Sequence, residues 1–268
     1  MRTIVHLSDL HFGRVDRSII APLTESISAI RPDLIAVSGD LTQRARRGQF
    51  QRAAAFLDSL PFHKVIVPGN HDVPFFNVPA RLFNPFGGYR RWISPNLEPA
   101  FIDDEVAMIG LNSARALITG GRGRLNDAQI DSAVERMRRL PAAPIKVIVT
   151  HHPFDLPEGF RAEHLLGRAS VAMKRFAEVG ADLFLAGHLH VSHIGHTAGR
   201  YNIAGHSALV VQAGTLSTRG RGELNSFNVL RIARPELTIE RYTWETGARA
   251  FDRSYTGKFR HTPDGWTA

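Results

Sequence analysis

Short apolar runs alternating with amphipathic ones constrain this chain more than any other feature of its sequence. Thr3–Leu7 is a β-branched run, residues 33–38 read DLIAVS and residues 64–67 read KVIV. Between them, Ile19, Ile20, Leu23, Ile27 and Ile30 recur at helical spacing, and Phe50, Ala53, Ala54 and Leu57 share one face of a second helix over 49–60. This β-α-β-α-β rhythm predicts parallel strands joined by crossover helices, hence an α/β fold. The pattern continues with strands over 106–111, 145–150 and 182–186, and with helices over 126–140 (Asn126 as N-cap) and 170–179. Beyond 186 the helices stop. Residues 191–195, 200–203, 208–212, 226–232 and 236–244 read as successive short strands.

Two segments break the rhythm. Between residues 74 and 100, prolines at 74, 79, 85, 95 and 99 are mixed with Phe75, Phe76, Phe83, Phe86, Tyr89 and Trp92. This predicts an irregular aromatic insert. Its simplest role is a hydrophobic plug at the edge of the fold. A wall for stacking a nucleobase, a dimer contact or a rim for a lipid-bearing substrate are the functional alternatives. Residues 246–268 are polar and turn-rich and read as a C-terminal tail, which leaves 1–245 as one expected domain. A chain of 268 residues, 43% of them hydrophobic, can bury a core without staples. Cysteine is absent, which excludes disulfides, thiolate metal sites, iron–sulfur clusters and cysteine nucleophiles. His6 and Asp9 interrupt the first apolar stretch, and no apolar run approaches membrane-spanning length, so a cytoplasmic location is expected.

Chemistry is concentrated where the strands end. Ser8-Asp9-Leu10-His11 follows the first strand, Ser38-Gly39-Asp40 the second and Gly69-Asn70-His71-Asp72 the third. His151-His152-Pro153 follows the strand at 145–150, and Gly187-His188-Leu189-His190 the strand at 182–186. Each alone is weak: Asp9 or Asp40 could be a helix N-cap and Asn70 a turn residue. Together they place carboxylates, imidazoles and an amide along the one sheet edge where ligands gather. Such donors suit Mn, Fe or Zn better than calcium. Residues at i and i+2, as in Asp9/His11 and His188/His190, can reach two neighbouring ions from one loop, and Gly39 lets the chain turn so that Asp40 lies between them. Two ions about 3.5–4 Å apart clamp both oxygens of a phosphoryl displacement and lower the pKa of a shared water toward about 7.

The ordered set D-x-H, G-D, G-N-H-D, H and G-H-x-H resembles the calcineurin-like metallophosphoesterase superfamily, from residue 3 to about residue 215. The opening HLSDLHFG and VTHHP at 149–153 are most similar to the branch of class III cyclic-nucleotide phosphodiesterases and bacterial glycerophosphodiesterases. The resemblance implies a four-layer α/β/β/α sandwich with two central mixed sheets. It implies one metal ion on Asp9, His11 and His190, a second on Asn70, His151 and His188, and Asp40 bridging the two. It implies that His71 contacts the phosphate and protonates the leaving oxygen, with Asp72 oriented toward it. The cofactors implied are two divalent or mixed-valence ions of Mn, Fe or Zn. The activity implied is hydrolysis of a small phosphodiester, a cyclic nucleotide or a glycerophosphodiester, by a hydroxide shared between the ions. A pyrophosphatase for a nucleotide-linked lipid precursor, a nuclease and a non-catalytic scaffold are the alternatives. The scaffold is disfavoured because no ligand position is missing.

Lys and Arg number 33 against 25 Asp and Glu, a formal charge of +8, which favours anionic partners. The excess is almost all arginine and is spread along the chain, which argues against a nucleic-acid groove. A small phosphodiester is the expected partner, and the insert leaves a homodimer open. His152 stays outside the metal set, His6 reads as structural, and His193, His196 and His206 read as surface or core histidines. Arg44, Arg46 and Arg47 could meet a substrate phosphate, but an exposed helix start is their first reading. Arg219 and Arg221 are balanced between phosphate contact and a solvated hairpin. Asn112 follows another strand and carries little weight.

Overall fold

The computed structural model describes the chain except for residues 118–120, 142–143, 202–206, 264 and 268. The strands of the first half are β1 (Arg2–Leu7), β2 (Leu34–Val37), β3 (His63–Ile66), β4 (Ala100–Ile102), β5 (Val106–Gly110) and β6 (Ile145–Val149). Those of the second half are β7 (Leu183–Ala186), β8 (His193–His196), β9 (Leu209–Gln212), β10 (Ser226–Ala233), β11 (Glu236–Glu245), β12 (Ala250–Thr262) and β13 (Gly265–Thr267). The helices are α1 (Ile20–Ile30), α2 (Arg47–Asp58), α3 (Val78–Phe83), α4 (Gly87–Trp92), α5 (Asp127–Arg138) and α6 (Ala169–Ala177).

Strand periodicity decides the layering, because successive side chains point to opposite faces. Val5, Leu7, Ile35 and Val37 point outward onto Leu23 and Ile27 of α1 and Phe50, Ala53 and Leu57 of α2. Their neighbours Ile4, Leu34 and Ala36 point inward and meet Met108, Val147, Val149, Leu183 and Leu185 from the other sheet. On that sheet's far side, Ile109, Ile148 and Phe184 pack on Ile130 and Met137 of α5 and on Met173 and Phe176 of α6. The result is the expected four-layer α/β/β/α sandwich. One sheet has the order β13-β12-β11-β10-β1-β2-β3, the other β4-β5-β6-β7-β9-β8. Both are mixed: β1-β2-β3 and β5-β6-β7-β9 run parallel, and the remaining pairs are antiparallel.

Residues 246–268 are not the tail that their polarity implied. β12 pairs along β11 from Ala250 opposite Glu245 to Arg260 opposite Glu236, and β13 returns against it. β12 is solvent-exposed over most of its length, so it lacks an apolar run, yet it sends Phe259 inward and Trp266 of β13 is fully buried. Of the strand expected over 200–203, Arg200 instead ends a 3₁₀ turn at Thr197–Gly199, Tyr201 is a buried bend whose N–H donates to the Thr197 carbonyl, and residues 202–203 lie outside the described residues, as does His206. The insert divides in two. Tyr89 of α4 is buried and donates its hydroxyl to the Ile66 carbonyl at 2.8 Å, so this half is the expected plug. By contrast, α3 buries none of its side chains.

Candidate metal centre

The loops leaving β1, β2, β3, β6 and β7 converge at one edge, and their backbones are unusual. Asp9, His11, Asp40, His188 and His190 have φ of 52°, 43°, 53°, 72° and 61°. L-residues rarely occupy this left-handed region, and such strain gathers at functional sites. The loops brace one another: Asp9 N–H donates to the Gly39 carbonyl at 3.1 Å and His11 N–H to that of Asp40 at 2.9 Å. Gly39, at φ 92°, is obligatory, because a Cβ there would come within 2.7 Å of His151 Nδ1 and 2.9 Å of the Gly69 backbone.

Two groups of side chains result. Asp9, His11, Asp40 and His190 place ligand atoms within 4.8 Å of one another, as do His151, His152 and His188. Asp40 Oδ2 joins the groups, 3.5 Å from His11 Nε2 and 3.4 Å from His151 Nε2. His151 Nε2 lies 3.0 Å from Asn70 Oδ1, which brings Asn70 into the second group. Asp9 Oδ1 is buried without a hydrogen-bond partner, 3.1 Å from His190 Nε2 and 3.5 Å from His11 Nε2. An orphaned carboxylate oxygen facing imidazole nitrogens is the environment a cation completes. The Nδ1–H groups of His151 and His190 donate to the Ser38 and Arg219 carbonyls, both at 2.8 Å, leaving each Nε2 lone pair toward the centre. Burial alone would raise Asp9 and Asp40, but the imidazoles outweigh it and hold both carboxyls below the usual range. Conversely, burial would lower His151, and Asp40 overcomes it and lifts the ring to about 9. The negative field that retains this proton equally favours a metal cation. The donor set fits two borderline-hard ions.

All seven predicted ligand residues therefore meet at this edge. Of the neighbouring residues, His152 keeps outside the ligand set, whereas Asp72 departs from expectation. His152 has both ring nitrogens engaged, Nδ1 with Ser113 Oγ at 2.9 Å and Nε2 with the Gly121 carbonyl at 2.7 Å, and burial drives its pKa to about 3. It braces the rim instead of offering a lone pair. Asp72 does not orient His71. Its oxygens accept from the Leu41, Thr42 and Gly69 amides at 3.1, 2.8 and 2.9 Å and from Thr42 Oγ1 at 3.0 Å, tying the second and third loops together. What orients His71 is the Gln43 carbonyl, 2.9 Å from Nδ1, and Arg219, whose Nη1 is 2.9 Å from Nε2. Burial lowers the His71 pKa to about 4.

Arg44 is not confined to an exposed helix start. With Arg81, Arg115, Arg219 and Arg221 it lines a cavity of ≈ 570 Å³ over the centre, in which Asp40 is the sole acid among the described residues. Arg44, Arg219 and Arg221 were weighed from the sequence. Arg81, Arg115 and His164, whose Nδ1 is 3.5 Å from His188 Nε2, carried no local signal. Asn112 braces its own loop by accepting the Ala114 N–H at 3.0 Å. His193 pairs with Asp155 and His196 faces Ser207, both outside this cavity, and His6 is buried against Ser38.

Comparison with known proteins bears on the fold and the family. A curated relative, glycerophosphodiester phosphodiesterase GpdQ of Enterobacter lignolyticus (strain SCF1), is 29% identical over 80 residues, which is 26% of this chain and 29% of that protein's length. Two solved structures share the fold. A dimetal phosphatase from Danio rerio has a TM-score of 0.69 at 12% identity, covering 97% of this chain and 99% of that one. Purple acid phosphatase PPD1 from yellow lupin (Lupinus luteus) seeds has a TM-score of 0.66 at 11% identity, covering 95% and 53%. The family model described as calcineurin-like phosphoesterase matches residues 2–192, and the chain belongs to that family.

Proposed function

We propose that this protein is a dinuclear metal-dependent phosphodiesterase acting on a small diester of the glycerophosphodiester or cyclic-nucleotide kind. The observation that carries the reading is Asp40 Oδ2, poised between His11 and His151 at one shared edge of the two sheets. Asp9, His11, Asp40 and His190 would hold one ion, and Asp40, Asn70, His151 and His188 the other. Bound there, the ions would polarise the phosphate and acidify water. His71 and Arg219 stand at the cavity wall with their nitrogens 2.9 Å apart, placed to bind the non-bridging phosphate oxygens. The Gln43 carbonyl holds a proton on Nδ1, so Nε2 is the atom that faces substrate; in the imidazolium form, which a bound phosphate stabilises, Nε2–H would pass its proton to the leaving oxygen and leave the neutral Nδ1–H ring. The relative named a glycerophosphodiester phosphodiesterase supports the diester preference.

A pyrophosphatase for a nucleotide-linked lipid is the second reading. It is favoured by Phe75 and Leu117, which line the cavity yet are 58% and 75% exposed. A screen after reconstitution with Mn²⁺, Fe²⁺, Co²⁺ or Zn²⁺ tests both. It sets bis(p-nitrophenyl) phosphate, glycerophosphodiesters, cyclic nucleotides, nucleoside diphosphate lipids and phosphomonoesters side by side. Faster turnover of simple diesters than of monoesters is expected. A preference for the diphosphate lipid would select the second reading, and no hydrolysis with any ion would remove the enzyme.

A further inference from the structure

Two stretches beside the metal cavity are basic and free of acids. Residues 41–57 carry Arg44, Arg46, Arg47 and Arg52, residues 73–97 carry Arg81, Arg90 and Arg91, and neither contains Asp or Glu. They border one groove of ≈ 740 Å³, lined by Arg44, Arg46, Arg47 and Arg91 together with Phe75 and Phe76. Among the described residues none of these four arginines is paired with a carboxylate. Arg44 instead lies over the rings of Phe75 and Phe76, at 5.3 and 6.0 Å.

From this basic ground an apolar tip projects. Phe76, Val78, Leu82 and Phe83 are 69%, 56%, 53% and 87% exposed. A helix as short as α3 is not stable in isolation. It is pinned by Asn77 Oδ1, which accepts the Ala80 N–H at 3.0 Å, and by Arg81 Nε, which donates to the Ala116 carbonyl at 2.6 Å. The tip is thus held out in water by a fixed backbone. A contiguous apolar patch with a polar rim marks a contact surface.

We infer that this face docks on an anionic lipid bilayer, with the α3 tip at the headgroup–acyl boundary and the groove arginines against lipid phosphates. An apolar wedge flanked by arginine matches such a surface in both hydrophobicity and charge. A two-fold dimer through this face would set the arginines of one copy against those of the other. Single-stranded nucleic acid would match the charge and could stack on Phe76 and Phe83, but it offers no apolar phase in which to bury Val78 and Leu82. No helix among the described residues is long and apolar enough to cross a membrane, so the attachment is peripheral. Arg44 and Phe75 line both the groove and the metal cavity, so docking turns the cavity mouth toward the headgroups. Resting on the proposed hydrolytic reading, this favours a lipid-borne phosphoester, the second reading above, over a water-soluble diester.

The test is co-sedimentation of the full chain with vesicles of phosphatidylcholine alone or with about 30% phosphatidylglycerol. Binding to the anionic vesicles only, weakened by salt, is expected. Phe76→Ser combined with Phe83→Ser should lower partitioning about tenfold or more. Its melting temperature and its hydrolysis of bis(p-nitrophenyl) phosphate should not change, because both side chains stand in water. The inference is overturned by no binding to anionic vesicles, or by binding indifferent to the double substitution. Self-association or oligonucleotide binding that the substitution abolishes, without vesicle binding, overturns it equally. Vesicle binding without hydrolysis of any phosphoester would keep the docking and remove the hydrolytic reading. Hydrolysis without vesicle binding would do the reverse.

Discussion

Replacing Arg219 by alanine separates phosphate recognition from metal binding. The guanidinium is about half-buried at the cavity wall, with Nη1 2.9 Å from His71 Nε2 and 3.3 Å from His11 Nε2. Among the described residues it forms no ion pair with a carboxylate and only Nη1 is engaged, with the two imidazoles, so its other donors are open to a phosphate. One or two charge-assisted hydrogen bonds from such a group are worth about 2–4 kcal/mol, or about 30- to 900-fold in kcat/KM. The Arg219 main-chain carbonyl, which positions His190, survives the substitution, so metal content should stay at the wild-type level. Arg219→Lys keeps the charge but loses the planar fork and should recover only part of the rate. The assay is steady-state hydrolysis of bis(p-nitrophenyl) phosphate alongside elemental analysis of the same samples. A kcat/KM within about threefold of wild type would refute the role, since a phosphate contact cannot be worth so little here. Loss of metal would show that Arg219 maintains the centre instead.

Asp40→Ala should deplete both ions and abolish turnover, because Asp40 Oδ2 faces both histidine groups; a fully metallated, active variant contradicts the bridging assignment. His71→Ala should keep the metals and cost about 10²–10⁴-fold in turnover, most strongly for poor leaving groups. Equal rates on a poor leaving group would sink the proton-transfer role. For Asp155, burial would raise the carboxyl, but His193, Arg200 and the Leu156 amide outweigh it and hold the pKa below the usual aspartate value. Its contribution to stability is therefore present above the unfolded pKa of about 3.9 and fades as pH falls through the folded one. In urea titrations, wild type should exceed Asp155→Asn near neutral pH and lose that margin toward pH of about 3; a margin independent of pH contradicts the assignment.

The parallel α/β core was legible in the sequence because its strands and helices alternate locally, and the four-layer sandwich followed only from the resemblance. Which of Ile4 and Val5, or of Leu34 and Ile35, meets the other sheet and which meets a helix is decided once the two sheets stack. The edge strands were not legible. β12 is mostly solvent-exposed and owes its place to ten residue pairs with β11, a partner that composition does not reveal. Asp72 was misjudged for a similar reason. Adjacency to His71 suggested an orienting carboxylate, but the amides of Leu41 and Thr42, thirty residues away, claim its oxygens.

By itself, the sequence located the candidate centre: each candidate ligand sits on the loop directly after a parallel strand, and parallel strands present those loops on one edge. The left-handed backbone at Asp9, Asp40 and His190, and the glycine beside Asp40, turn that proximity into convergence within a few residues of chain. Only the tertiary structure decided what surrounds it. Arg219 reaches His71 across 148 residues, and Arg44, Arg81 and Arg115 share its cavity from separate segments. Such meetings depend on how loops pack once the sheets are closed, and no local spacing encodes them. The exposed tip at α3 belongs with these, since whether a phenylalanine is core or surface is settled by what the rest of the chain leaves uncovered.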